Sequence, residues 1–387
     1  MRYWFLLTLL VPVFASTARA HDADSYGGLY RSRDAGATWL PADAGLFINA
    51  SNAVAINPAD SNHLLYGTDT RLLRSQNGGR DWHEQAPQQI AAPILSVAFD
   101  VDGNSAFAAT TDGLFRSESN GQWRAVNVPF SAFPIAQIVA MRGKIYLAGN
   151  DGIYMGSANS QDWRGLTKGL PEEPVSALLV DDTTPGANIH AVVAGRIWRS
   201  EDDGKSWQQA AGNWRDRRID IISADLRDTK KIWAGGASQL FRSDDRGKSW
   251  QVFGKPLPDP NNFIRGIAIS QNEQTIVLTT HRGLFRSADG GASWAKIEGA
   301  LPLHLEPSPL AQDRHDPNTT YAGFSLRPYN EAWRAAQNLA EQRRNGEARG
   351  QITTIVGGAI AIALVIGAGL FLRRRASRRE LQLKEKM

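Results

Sequence analysis

The sequence predicts an all-β chain: a seven-bladed β-propeller with mixed N- and C-terminal blade closure, followed by a single C-terminal transmembrane helix. Three observations predict it. A motif ending in tryptophan recurs seven times, at 39, 82, 123, 163, 207, 250 and 294. Short apolar strands fill the intervals between these copies. One long uncharged apolar run occurs near the C-terminus, at 352–372. A period of ~40–45 residues with several short strands per unit is the signature of propeller blades.

The N-terminus comes first. Arg2, an apolar run from Tyr3 to Ala15 and the ending Ala18-Arg19-Ala20 form a secretory signal peptide over 1–20. The run is too short to span a bilayer, which needs about 20 residues. The propeller is then expected over 21–327.

Each repeat has the form seen at Ile197-Trp198-Arg199-Ser200-Glu201-Asp202-Asp203-Gly204-Lys205-Ser206-Trp207. The Asp should accept N–H groups of its own turn, as in an Asx-turn. The Gly supplies the positive φ of a tight hairpin. The Trp should pack under the turn and between blades. Asp34, Trp39, Asp202, Trp207, Asp245, Trp250, Asp289 and Trp294 are therefore structural residues. Between repeats lie pairs such as Ala53–Asn57 with Leu64–Thr68, so each blade reads as strands A and B, then C and D around the motif. The last A and B, near 305–325, lack a following motif, and the first motif lacks a preceding A and B. Pairing 305–325 with 28–40 completes the seventh blade and leaves no open edge.

A stalk follows over 328–351. Tyr329, Trp333, Ala336 and Ala340 lie on one stripe of a helix, which is expected to pack on the propeller or a partner. The run 352–372 is about 31 Å long as a helix, matching a hydrocarbon core. The basic tail 373–387 opens with Arg373-Arg374-Arg375, which stays cytoplasmic. The expected location is the inner (plasma) membrane, single-pass, with the propeller on the periplasmic or extracellular side.

The formal charge of +4 arises at the ends. Residues 21–350 carry 34 Lys and Arg against 37 Asp and Glu, so the ectodomain has no basic field that would suggest nucleic acid. There is no cysteine, which excludes disulfides and thiol chemistry. The seven histidines are scattered without metal-ligand spacing. No catalytic residue, metal or cofactor is assigned.

The repeat resembles the Asp-box (bacterial neuraminidase) repeat, S-x-D-x-G-x-[ST]-W. Copies at 32–39, 200–207, 243–250 and 287–294 match in full. The copy at 75–82 carries Asn77 and Asp81 in place of the Asp and the Ser/Thr, and those at 117–123 and 157–163 lose the Asp. Sialidases share the repeat but need an Arg-Ile-Pro segment, which is absent here; Phe263-Ile264-Arg265-Gly266-Ile267 lacks the proline. The chain is similar to the Asp-box propellers that assist photosystem II assembly and, more distantly, to sortilin-type propellers. That resemblance implies a non-enzymatic propeller that binds a protein partner as an assembly factor or scaffold; the C-terminal anchor, in which the chain departs from those propellers, makes it membrane-anchored and its expected partner membrane-embedded. The alternative is a carbohydrate-binding or glycoside-cleaving propeller. Any site is expected on the face opposite the boxes. Its candidates are Arg71, Arg196, His281, Arg282 and the loop Trp214-Arg215-Asp216-Arg217-Arg218, since Trp and Arg are hot-spot types at interfaces.

Overall fold

A computed structural model describes residues 27–343, apart from 119–120, 129–133, 158–161, 185, 215–216, 300 and 327–332. Seven antiparallel sheets follow one another around a ring. Blade 1 has strands A to D at Ser51–Asn57, Asp60–Thr68, Leu72–Ser75 and His83–Glu84. Blades 2, 3 and 4 begin with A strands at Ile94–Phe99, Ile135–Met141 and Val175–Asp181. Blades 5 and 6 begin at Ile221–Ala224 and Ile264–Ile269.

Blade 7 is built from both ends of the chain. Glu306–Gln312 and Thr320–Ser325 supply A and B, and Gly28–Ser32 and Leu40–Pro41 supply C and D. Gly28 pairs with Phe324 and Ser32 with Thr320, so the expected mixed closure is present. The A strands touch their neighbours all the way round, and Glu306–Gln312 meets Ser51–Asn57 to close the ring. Inner strands are crowded on both faces. Strand B of blade 2, Ala106–Thr110, is buried at every residue, and its three alanines let the neighbouring blades approach.

The boxes show which of their residues bears the turn. In the 243–250 copy the buried Ser243 hydroxyl donates to Asp245 Oδ1 at 2.7 Å and accepts the Gly247 N–H at 2.8 Å. Asp245 then accepts the Ser249 N–H at 2.9 Å and its hydroxyl at 2.6 Å, on the exposed lip of the turn. The copies beginning at Ser32, Ser200 and Ser287 repeat this pattern. At 75–82 the polarity is exchanged: the Asn77 amide donates to the Asp81 carboxylate at 2.7 Å, so the two departures from the motif compensate. Gly204 and Gly247 have φ of +78° and +75°, which only glycine adopts freely.

Several of the tryptophans staple their blade to the one before. Trp82 donates to Ala42 O, Trp207 to Leu166 O and Trp294 to Lys255 O, at 2.7–2.8 Å. Trp39 and Trp250 instead bond the carbonyls of their own Gly36 and Gly247, at 3.1 Å.

This division of labour sets a prediction. Ser243→Ala strands the buried Gly247 N–H and should cost about 1–3 kcal/mol. Water can replace the exposed carboxylate of Asp245, so Asp245→Ala should cost about 0.5–1.5 kcal/mol. Denaturant titrations of the two variants check the order; equal or inverted losses would refute it.

Blade 5 carries a fifth strand that the repeat did not foretell. Ala211–Gly212 runs parallel to the outer strand Ser249–Phe253, pairing Ala211 with Ser249. Beyond the ring, residues 333–343 form a helix. Ala336 and Ala340 are buried, Gln337 Nε2 donates to Asn150 Oδ1 at 2.7 Å, and Arg343 pairs with Asp112 at 2.7 Å. Ala336 and Ala340 of the expected stripe thus pack on the propeller over blades 2 and 3; Trp333 is half-buried, and Tyr329 lies outside the described residues. So do the expected signal segment 1–20, the apolar run 352–372 and the tail. Among the described residues, no helix is long and apolar enough to cross a membrane.

Candidate functional site

The face opposite the boxes carries the B–C turns and the connections from each D strand to the next A. At several blades a threonine ending strand B fixes the turn. The Thr68 hydroxyl accepts the Arg71 N–H at 3.0 Å and donates to Arg71 O at 3.0 Å. Thr280 does the same at blade 6, accepting the Arg282 N–H at 3.1 Å and donating to Gly283 O at 2.9 Å. These turns are held from within the blade and aim their side chains outward.

The 210–220 connection between blades 4 and 5 is the most elaborate. Its backbone is tied down twice: Ile219 N–H donates to Gly195 O at 3.0 Å, and Asp220 N–H to Gly235 O at 2.9 Å. Two glycines make room for it. A Cβ on Gly236 would lie 2.0 Å from Arg218 O, and one on Gly195 2.6 Å from Arg218 Cγ.

Trp214 departs from expectation. It was expected as an exposed aromatic beside the arginines, but it is buried. Its ring lies 5.1 Å from Phe241 and 5.6 Å from Trp250, and its Nε1 donates to Ala210 O at 3.2 Å. An aromatic side chain beside an apolar cleft between blades gains more by filling it than by facing water. Trp214 is therefore the root of the loop and not its contact surface.

Of the arginines, Arg196 and Arg217 are half-buried. Arg218 is exposed and pairs with Asp220 at 3.3 Å. Arg217 N–H donates to Trp214 O at 2.8 Å, closing a turn, and Arg196 Nη1 donates to Arg217 O at 3.3 Å. Arg215 lies outside the described residues. On blade 6, Arg282 pairs with Asp259, and the Phe263 N–H donates to His281 Nδ1 at 3.1 Å. Burial and the nearby Arg265 lower the pKa of His281, against the opposing pull of Glu306. Arg196, Arg217, Arg218, His281 and Arg282 thus share the blade 4–6 sector, while Arg71 stands apart on blade 1.

Sequence reasoning missed Arg265, Glu306 and Asp220. Arg265 and Glu306 lie at the starts of the A strands of blades 6 and 7, on the loop-face side, and form an ion pair between the two blades. The available signal was an arginine inside an apolar A strand. Burial raises the pKa of Asp220, against the opposing pull of Arg218. Both carboxylates have an arginine partner. Among the described residues no group of three or more His, Cys, Asp or Glu could hold a metal ion.

Comparison with known proteins follows this geometry. The family model described as Sortilin, neurotensin receptor 3, matches residues 195–301. That stretch contains three of the four full boxes in register. A xyloglucanase from a Paenibacillus species is 28% identical over 296 residues, which cover 72% of this chain and 24% of that protein. The chain therefore spans about a quarter of that relative. Among solved structures, YCF48 from Cyanidioschyzon merolae superposes with a TM-score of 0.56 at 15% identity, over 72% of this chain and 95% of its own. YCF48 bound to D1 peptide gives 0.52 at 14% identity, over 72% and 93%. At such identities the likeness is one of fold.

Proposed function

We propose that this chain, an Asp-box repeat β-propeller of the sialidase-like kind, is a non-enzymatic docking module of the bacterial envelope whose loop face receives a protein partner. The carrying observation is the blade 4–6 sector. There a doubly tied backbone presents Arg217 and Arg218 beside Arg196 and Arg282, on a rigid support. Such preorganisation lets charged side chains bind with little ordering cost. The structure of YCF48 with a D1 peptide supports the same use of this architecture.

In this reading the signal segment exports the propeller and 352–372 tethers it, with the partner embedded in the same membrane. Arg343 is pinned at Asp112 on the loop face. Eight residues lie between it and Ile352, and the nine steps from Cα to Cα reach at most about 32 Å. The loop face is therefore turned towards the bilayer.

The test is cross-linking in membranes, for which the absence of native cysteine is convenient. Arg217→Cys on the loop face should capture a partner protein, and Lys248→Cys on the box face should not. Capture by Lys248→Cys alone would overturn the orientation.

A second reading, a propeller that binds or cleaves polysaccharide, is favoured by the similarity to xyloglucanase. In it Asp220 and Glu306 would be the acids. Release of reducing sugar from a β-glucan, abolished by Glu306→Gln, would establish that reading in place of the first.

A further inference from the structure

Exposed large apolar side chains are unevenly placed on this molecule. Four of those among the described residues lie on the loop face: Phe47 at 73% exposure, Leu326 at 45%, and Leu303 and Phe263 at 42% each. They come from the connections around blades 6, 7 and 1, and the hydrogen bonds make them neighbours. The Leu326 N–H donates to Asn49 O at 2.8 Å, which brings Leu326 beside the Phe47 loop. Glu306 pairs with Ser325, which sets the connection carrying Leu303 alongside. Phe263 and His281, both on blade 6, have tilted rings 5.2 Å apart.

We infer that this rim is a lipid-contacting edge, where Phe47, Leu303, Leu326 and Phe263 dip into the interface of the bilayer. The inference rests on the membrane-anchored reading above and adds the surface by which the propeller sits on the membrane.

Three features favour lipid as the occupant. The apolar groups come from separate connections and stay exposed at their tips, and interfacial insertion needs only shallow burial of such tips, ~5–10 Å deep. The side chains of Arg218 and Arg282, 66% and 51% exposed, flank them in the adjoining sector, where guanidinium groups can meet lipid phosphates. The chain also leaves the ring at Leu326 within the rim and is pinned again at Asp112. Its remaining reach to 352 is short enough to hold this face against the bilayer.

The experiment uses the full chain reconstituted in vesicles of phosphatidylcholine and phosphatidylglycerol, with no other protein present. A single environment-sensitive fluorophore is placed by Phe47→Cys or Leu303→Cys. Leu40→Cys, on the outer wall of blade 7, and Lys248→Cys serve as controls. Lipids with a spin label high on the acyl chain should quench the probes at 47 and 303 roughly twofold more than the controls, as expected for shallow insertion. Equal quenching at all four positions overturns the inference. So would probes at 47 and 303 that stay unquenched in vesicles and respond only when membrane proteins are added, which would assign the rim to a protein.

Carbonate extraction of the same vesicles reads the anchor separately. Resistance without quenching keeps the tether and rejects the rim contact. Extraction together with quenching keeps the rim contact and rejects the tether.

Discussion

Trp214→Ala is expected to lower the unfolding free energy by about 3–5 kcal/mol, the range for removing a large buried aromatic. The ring fills the cleft between blades 4 and 5, against Phe241 and Trp250 and under the outer strand Ser249–Phe253. Its loss leaves a cavity bounded by strands that cannot collapse, because each is fixed in a ladder on its own blade. It also removes the buried anchor beneath the turn, although the backbone bond from Arg217 N–H to the residue 214 carbonyl survives the substitution. Partner capture through Arg217→Cys should fall in the same variant even at temperatures where the ring stays folded. Arg218→Ala should leave stability within about 0.5 kcal/mol, as surface changes do. Denaturant titration and cross-linking yield compared side by side check this. A Trp214→Ala protein as stable as the parent would mean that the ring does not fill that cleft.

Acid should weaken the propeller in two separate windows. The first belongs to His190, in strand B of blade 4, which is fully buried. Burial holds its pKa at about 4, against an ordinary 6.5. Its Nε2–H donates to Arg246 O at 3.0 Å, at the box turn of blade 5. Asp181, Arg199, Glu201 and Arg246 face it. The folded protein keeps this ring neutral while the unfolded chain takes up a proton. Between pH 6.5 and 4 the unfolded state therefore binds more protons, and stability falls with pH. The loss approaches about 3 kcal/mol once pH reaches 4.

The second window belongs to the boxes. The Ser206 hydroxyl on Asp202 and the Ser293 hydroxyl on Asp289, with the backbone N–H groups of the same serines, hold these carboxyls at about 2. Their contribution is present above the ordinary value near 4 and is lost as pH falls through about 2. Urea midpoints from pH 7.5 to 2.5 would resolve the windows. His190→Gln should flatten the first and leave the second. A wild-type midpoint unchanged between pH 6.5 and 4 would contradict the assignment.

The ring was legible because its determinants are local and repeated. The spacing of the tryptophans, the box serines and glycines, and the unmatched halves at the two ends together specify seven blades and their closure. The substituted copy at 75–82 was legible as a copy, but not the exchange of donor and acceptor between Asn77 and Asp81. That depends on which side chain faces which, and a pattern does not carry it.

The candidate site was half legible. Arg196, Arg217, Arg218, His281 and Arg282 share one sector because turns at known blade positions converge there. Trp214 lies between polar residues, and nothing within its own loop says that Phe241 and Trp250 wait beneath it. The same limit hid the parallel strand Ala211–Gly212, whose partner is some forty residues away. Arg265 sits in a strand that reads as apolar, and its pairing with Glu306 across blades is visible only once the ring is closed.

The closing blade also decides how the molecule carries tension. Residue 326 continues strand Thr320–Ser325, which lies between Glu306–Gln312 and Gly28–Ser32. A pull from the C-terminal side therefore enters a strand held on both flanks and must shear two ladders together. An edge strand would be peeled bond by bond. The 333–343 helix is fastened by Gln337 and Arg343 over two small buried alanines, so it would yield before the ring does. The molecule thus has a spring of low stiffness in series with a ring of high stiffness.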